Sequence, residues 1–83
     1  MYGIVYNMNL SQIKNGESAT VIQVTTEESI KQRLKMLNVY PSARIKVVKR
    51  SLLKSSLLLE VEGVRLGIRQ DLAKQIKVIP LDI

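Results

Sequence analysis

Histidine, cysteine, tryptophan and phenylalanine are all absent from this 83-residue sequence, and tyrosine, its one aromatic type, occurs three times. Each absence removes a class of chemistry. Without cysteine there is no disulfide framework, no thiolate nucleophile and no cysteine-based zinc site. Without histidine there is no imidazole base and no imidazole metal ligand. Only oxygen ligands remain, and those suit Mg²⁺ or Ca²⁺ better than Fe²⁺, so neither a metal site nor a cofactor is expected. A groove for proline-rich peptides needs an aromatic lining, which Tyr2, Tyr6 and Tyr40 are too few to supply. Long apolar runs are missing too. The longest uncharged stretch, Met1–Ile13, is broken by Asn7, Asn9, Ser11 and Gln12, whereas a spanning helix needs about 18 consecutive apolar residues. Met1–Asn7 also lacks the basic start of a signal peptide. A cytoplasmic protein of one small domain is expected, with a hydrophobic fraction of 46% that is ordinary for a globular fold.

The patterning predicts a mainly β protein. Asn9 and Gln12 have the spacing of a capping box over a short helical turn, and Lys14–Glu17 reads as a turn in which Gly16 is free to take positive φ. Residues 19–24 are rich in β-branched side chains and form a strand. Thr25 and Glu28 form a second capping box, opening a helix with Ile30, Leu34 and Leu37 as an apolar, core-facing stripe. Asn38 is placed as its left-handed C-cap, and Pro41 blocks any continuation. Ala43–Arg50 alternates as a strand until Val48, which suggests a bulge. Leu57–Val61 and Val64–Ile68 flank Glu62-Gly63 as a hairpin, whose register sets Val61 against Val64, Leu59 against Leu66 and Glu60 beside Arg65. A short capped turn over Asp71–Gln75 and a final edge strand, Lys77–Pro80, complete the chain. About five strands with one helix between the first two predict a small closed barrel, monomeric. Its core is expected to comprise Leu10, Ile13, Val21, Ile30, Leu34, Leu37, Ile45, Val47, Leu59, Val61, Leu66, Ile68 and Ile76.

Three segments in this order resemble a known family. Leu10-Ser11-Gln12-Ile13-Lys14-Asn15-Gly16-Glu17 is similar to the opening of the FeoA family, small cytosolic proteins of ferrous iron transport. Arg33 to Ser42 resembles that family's helix end and following loop, where Asn38 and Ser42 stand at positions usually occupied by glycine. Leu66-Gly67-Ile68-Arg69, followed by Leu72-Ala73 and Ile76, resembles its closing segment. The resemblance covers residues 9–79 and leaves 1–8 as an N-terminal extension before a domain over 9–83. It implies an SH3-like barrel without catalytic residues. Its role would be to act on FeoB, a membrane ferrous iron transporter with a cytosolic GTP-binding domain. Related domains close iron-dependent repressors, so a regulatory accessory module is the shared theme.

The acids and bases themselves give no enzyme. No two carboxylates are placed as a dyad: Glu60 and Glu62 share a strand face, and Glu27 and Glu28 open a helix. No small-molecule substrate is implied. The informative feature is charge distribution. Eight cations (Lys31, Arg33, Lys35, Arg44, Lys46, Lys49, Arg50, Lys54) and no acid lie between Ser29 and Leu59, which holds more than the whole net charge of +6. Such a face attracts an acidic protein surface, the anionic inner leaflet or nucleic acid. Binding to the transporter's cytosolic domain, at the inner face of the membrane, is the reading that the resemblance and the missing catalytic residues imply. A small-barrel nucleic-acid binder, which the basic stretch would suit, is the other. Against specific nucleic-acid recognition, Tyr40 is the one stacking side chain in the basic stretch. Within it, Leu52 and Leu53 sit side by side in a loop that should be polar. They are expected either to plug one end of the barrel or to anchor a partner, with Arg50, Lys54, Arg44 and Lys46 steering its approach.

Overall fold

A computed structural model describes residues 8–53 and 55–81; residues 1–7 of the expected extension, with Tyr2 and Tyr6, Lys54 and residues 82–83 lie outside them. The chain runs β1 (Met8–Asn9), a 3₁₀ turn (Leu10–Gln12), β2 (Ser18–Val24), α1 (Glu28–Met36), β3 (Arg44–Arg50), β4 (Ser56–Val61), β5 (Val64–Arg69), α2 (Gln70–Ala73) and β6 (Ile76–Pro80). The six strands form one antiparallel sheet in the order β1-β6-β2-β3-β4-β5. β1 and β5 are its edges. The 3₁₀ turn that leaves one edge packs on α2, which leaves the other. The sheet therefore curls so that its two ends are bridged by these turns, giving a small SH3-like barrel that stays open along β5.

Local chemistry explains most of the elements. Asn9 accepts from the Ser11 N–H at 3.0 Å while its own N–H donates to Gln12 Oε1 at 2.8 Å, completing the capping box. Gly16 takes φ +86° in the turn before β2. Glu62 and Gly63 take φ +50° and +80°, the conformation of a two-residue hairpin turn. Glu60 pairs across it with Arg65 at 3.4 Å, an exposed ion pair worth about a few tenths of a kcal/mol. The register slips between Val47 and Lys49, which makes Val48 the bulge residue.

Helix α1 departs from expectation at both ends. Thr25 and Glu28 form no capping box: the helix starts at Glu28, and Glu27 stands at the N-cap without a side-chain bond. Thr25 instead donates its N–H and its hydroxyl to the Gln75 carbonyl, at 2.8 and 3.0 Å. That long-range tie joins the end of β2 to the turn before β6, and it holds Thr25 away from the helix axis. At the C-terminus the Val39 N–H bonds to the Leu34 carbonyl at 2.8 Å and the Asn38 N–H to the Lys35 carbonyl at 3.0 Å. This is a Schellman motif with Asn38 in the left-handed position, φ +68°. Leu34 and Val39 are both buried and form its apolar contact. Leu37, expected in the core, is 43% exposed, because the left-handed turn carries the chain inward at Val39 instead. Ser42 is left-handed as well, with φ +85°. Both positions where the resembling family carries glycine therefore keep glycine-like backbone.

The core gathers Leu10 and Ile13 from the first turn, alternate residues of β2, β3, β4 and β6, and Ile68 of β5. Ile30 and Leu66 pack against it only partly, since α1 and β5 lie at its margin. Ala19, Val24, Val39, Ala43, Leu57, Ala73 and Val78 are buried too, though the expected core omitted them. β6 is an interior strand rather than the expected edge, because Met8 and Asn9 pair with Val78 and Lys77. Pro80 is tolerated because it lies past that pairing, opposite Ala19 of β2.

Candidate docking surface

The hairpin that joins β3 to β4 is built around one serine. Below it, Arg50 faces Leu57 as the last register pair, and the Ser51 N–H donates to the Ser56 carbonyl at 3.0 Å. Ser51 Oγ then accepts from the backbone N–H groups of Ser55 at 3.0 Å and Ser56 at 3.2 Å. The hydroxyl thus satisfies donors that the turn would leave open, and it fixes the neck of the loop. Above the neck Leu52 and Leu53 are 100% and 88% exposed. Neither folds back on the barrel. The plug reading is therefore excluded, and two adjacent leucines stand in water on a braced stem.

The cations expected to steer a partner are not gathered around those leucines. The bulge at Val48 exchanges the faces of the two residues after it. Lys49, opposite Leu58, points outward and is exposed, while Arg50 turns to the inner side. There the Arg50 guanidinium donates to the Ser11 carbonyl and, at 3.2 Å, to Asn15 Oδ1, tying the neck to the first turn of the chain. Arg50 is a brace. Arg44 and Lys46 are exposed on the outer face of β3, with Lys46 opposite Glu60. At about 3.3 Å per residue, Arg44 lies roughly 20 Å along the strand from Arg50 and Lys46 roughly 13 Å. Lys49 is the described cation on the outer side of the neck, and sequence reasoning passed over it. The signal was present, because the suggested bulge already implies the exchange of positions 49 and 50. Beside the neck, Lys49, Ser51, Ser56, Leu58 and Gly67 line a depression of about 210 Å³. Among the described residues no three carboxylates converge on a point that could hold a metal ion, and no helix is long and apolar enough to cross a membrane.

The braced tip stands on a small curled sheet whose fold is shared with known proteins. The FeoA domain model matches residues 8–80. The chain belongs to the FeoA family. It is 31% identical to the FeoA protein from Chlorobium tepidum, over 90% of this chain and 71% of that one, with a TM-score of 0.86. A crystal structure of an iron uptake regulatory protein, FeoA, is 26% identical over 88% of this chain and 95% of its own, with a TM-score of 0.77. A manganese-dependent transcriptional repressor shares the fold at 16% identity and a TM-score of 0.80, with this chain covering 36% of it. No curated protein sequence matches this one. Membership of the FeoA family links the chain to ferrous iron transport, as an accessory protein rather than a known enzyme.

Proposed function

We propose that this FeoA-family chain is a non-catalytic accessory module of ferrous iron uptake. It docks on the cytosolic GTP-binding domain of a FeoB-type transporter, at the cytoplasmic face of the membrane, through the β3–β4 tip. The domain that docks begins at Met8, whose pairing with Val78 sets its start one residue before the expected 9–83. The observation that carries this reading is the pair Leu52 and Leu53, exposed to water on a neck braced by Ser51 and Arg50. Removing two leucines from water supplies the apolar centre of an interface, and bracing lowers the ordering entropy that docking costs. Lys49 beside the neck, with Lys46 and Arg44 further along β3, attracts an acidic partner surface and raises the association rate.

The test is Leu52→Ser with Leu53→Ser, measured by calorimetric titration against the transporter's isolated cytosolic domain. Loss of an anchor of at least about 2 kcal/mol weakens binding by about thirtyfold or more, with the melting temperature unchanged because neither leucine is packed. Undiminished affinity in the folded variant removes the tip from the interface. Binding of wild type to anionic vesicles, with none to the cytosolic domain, identifies the membrane as the true partner of the tip.

A further inference from the structure

β5 (Val64–Arg69) is the longer of the two sheet edges, with six residues against two in β1. All six residues of β5 have a register partner on β4. Val61 and Val64 close a two-residue hairpin and so exchange hydrogen bonds, as do Leu59 with Leu66 and Leu57 with Ile68. The backbone N–H and C=O groups of Arg65 and Gly67 and the N–H of Arg69 therefore point away from β4, while the Arg69 carbonyl, as the N-cap of α2, is taken by that helix. Among the described residues no strand meets them there.

A cleft of about 310 Å³ adjoins β5, lined also by α1 and α2. Ile30, Leu34 and Leu37 line it from the helix, and Leu66, Ile68 and Leu72 from the other two elements. Its charged lining is Arg33 and Arg69, both exposed, with no acid among the lining residues. An open backbone edge beside an apolar cleft is the arrangement by which sheets take up an extended peptide. Charge decides which one. In a second copy of this chain, antiparallel pairing centred on Gly67 would set each Arg65 against an Arg69, and like charges directly opposite are destabilising. A strand that carries carboxylates meets the reverse condition.

We propose that the β5 edge and the α1 cleft bind an extended acidic segment of a partner protein. It adds as a seventh strand, seats an aliphatic side chain among Leu34, Leu37 and Leu66, and sets carboxylates beside Arg33 and Arg69. This surface uses different residues from the Leu52–Leu53 tip. The module can hold two protein ligands at once, and the proposal stands or falls separately from docking at the tip.

The probe is the synthetic peptide acetyl-Glu-Leu-Glu-Val-Asp-Leu-Glu-amide, titrated into the full chain and followed by amide NMR up to about 2 mM, which reveals even millimolar affinity. The expected result is a set of shifts centred on Arg65, Gly67 and Arg69, with slowed exchange of their N–H groups. Affinity is expected to be at least about tenfold higher than for the same peptide with lysine at every acidic position. Arg33→Glu with Arg69→Glu reverses that preference. Should this variant not fold, wild type decides with a peptide N-methylated at alternate backbone nitrogens, which keeps the charge, cannot pair as a strand and is expected to lose binding. Absence of shifts, equal binding of the acidic and lysine peptides, shifts centred elsewhere, or retained binding of the N-methylated peptide each overturns the proposal. So does a peptide-free dimer through β5 in sedimentation equilibrium.

Discussion

Ser42 holds φ +85°, a backbone angle that side chains with a Cβ adopt at a cost, and Asn38 holds +68°, where asparagine is among the better-tolerated residues. Both backbones are fixed by bonds that glycine would keep: Ser42 donates its N–H to the Val21 carbonyl at 2.7 Å, and Asn38 to Lys35. Ser42→Gly should therefore stabilise the fold by about 0.5–1 kcal/mol, the relieved strain exceeding the added freedom of the unfolded chain. That corresponds to a melting temperature higher by about 2–8 °C in a domain of this size. Asn38→Gly should gain less. A lower melting temperature for Ser42→Gly would show that the serine side chain contributes more than its backbone angle costs. Arg50 gives a second case at this scale. Its planar fork reaches two acceptors on another segment, which a lysine ammonium on a flexible stem does not reproduce. Arg50→Lys should cost about 1 kcal/mol, seen as a lower urea midpoint at constant slope, since one of the two bonds is exposed. An unchanged midpoint would return Arg50 to the role of a free surface charge.

At the scale of elements, α1 tests what fastens a helix to a sheet. Its stripe at positions 30, 34 and 37 has one fully buried member, Leu34, and the Schellman turn adds Val39 as the second point of attachment. Leu34→Ala is expected to destabilise by about 2–5 kcal/mol, in the range for a buried leucine whose site cannot collapse. Leu37→Ala, at 43% exposure, should cost under about 1 kcal/mol. Equal losses in chemical denaturation would mean that the stripe acts as one surface and that the cleft beside β5 is closed in solution. The β3–β4 hairpin carries the complementary lesson. Its bulge turns one cation, Arg50, into a structural brace and leaves its neighbour Lys49 facing out, so two adjacent basic residues of equal charge have different tasks.

At the scale of the whole molecule, the net charge of +6 gives a long-range attraction for any polyanion. Binding to DNA or RNA is expected to be weak, indifferent to sequence and to fall steeply with salt, as for phosphate contacts alone. Fluorescence anisotropy across a salt series measures this directly. Sub-micromolar, sequence-selective binding at physiological salt would overturn it and favour the nucleic-acid reading over transporter docking.

Much of the barrel was legible in the sequence, because the signals that decided it are local. The Asn9 capping box, the positive φ at Gly16, the bulge at Val48 and the complete register of the Glu62-Gly63 hairpin depend on residues a few positions apart. The same holds for the family, whose matched segments lie in sequence order. What remained open required contacts between distant segments. Thr25 left its local cap for the Gln75 carbonyl, and Arg50 crossed to Ser11 and Asn15. β6 became interior only because two residues at the start of the chain pair with it. The exposure of Leu52 and Leu53 belongs with these, since hydrophobic identity says what a leucine gains by burial, and only the path of the neck decides whether the barrel can reach it.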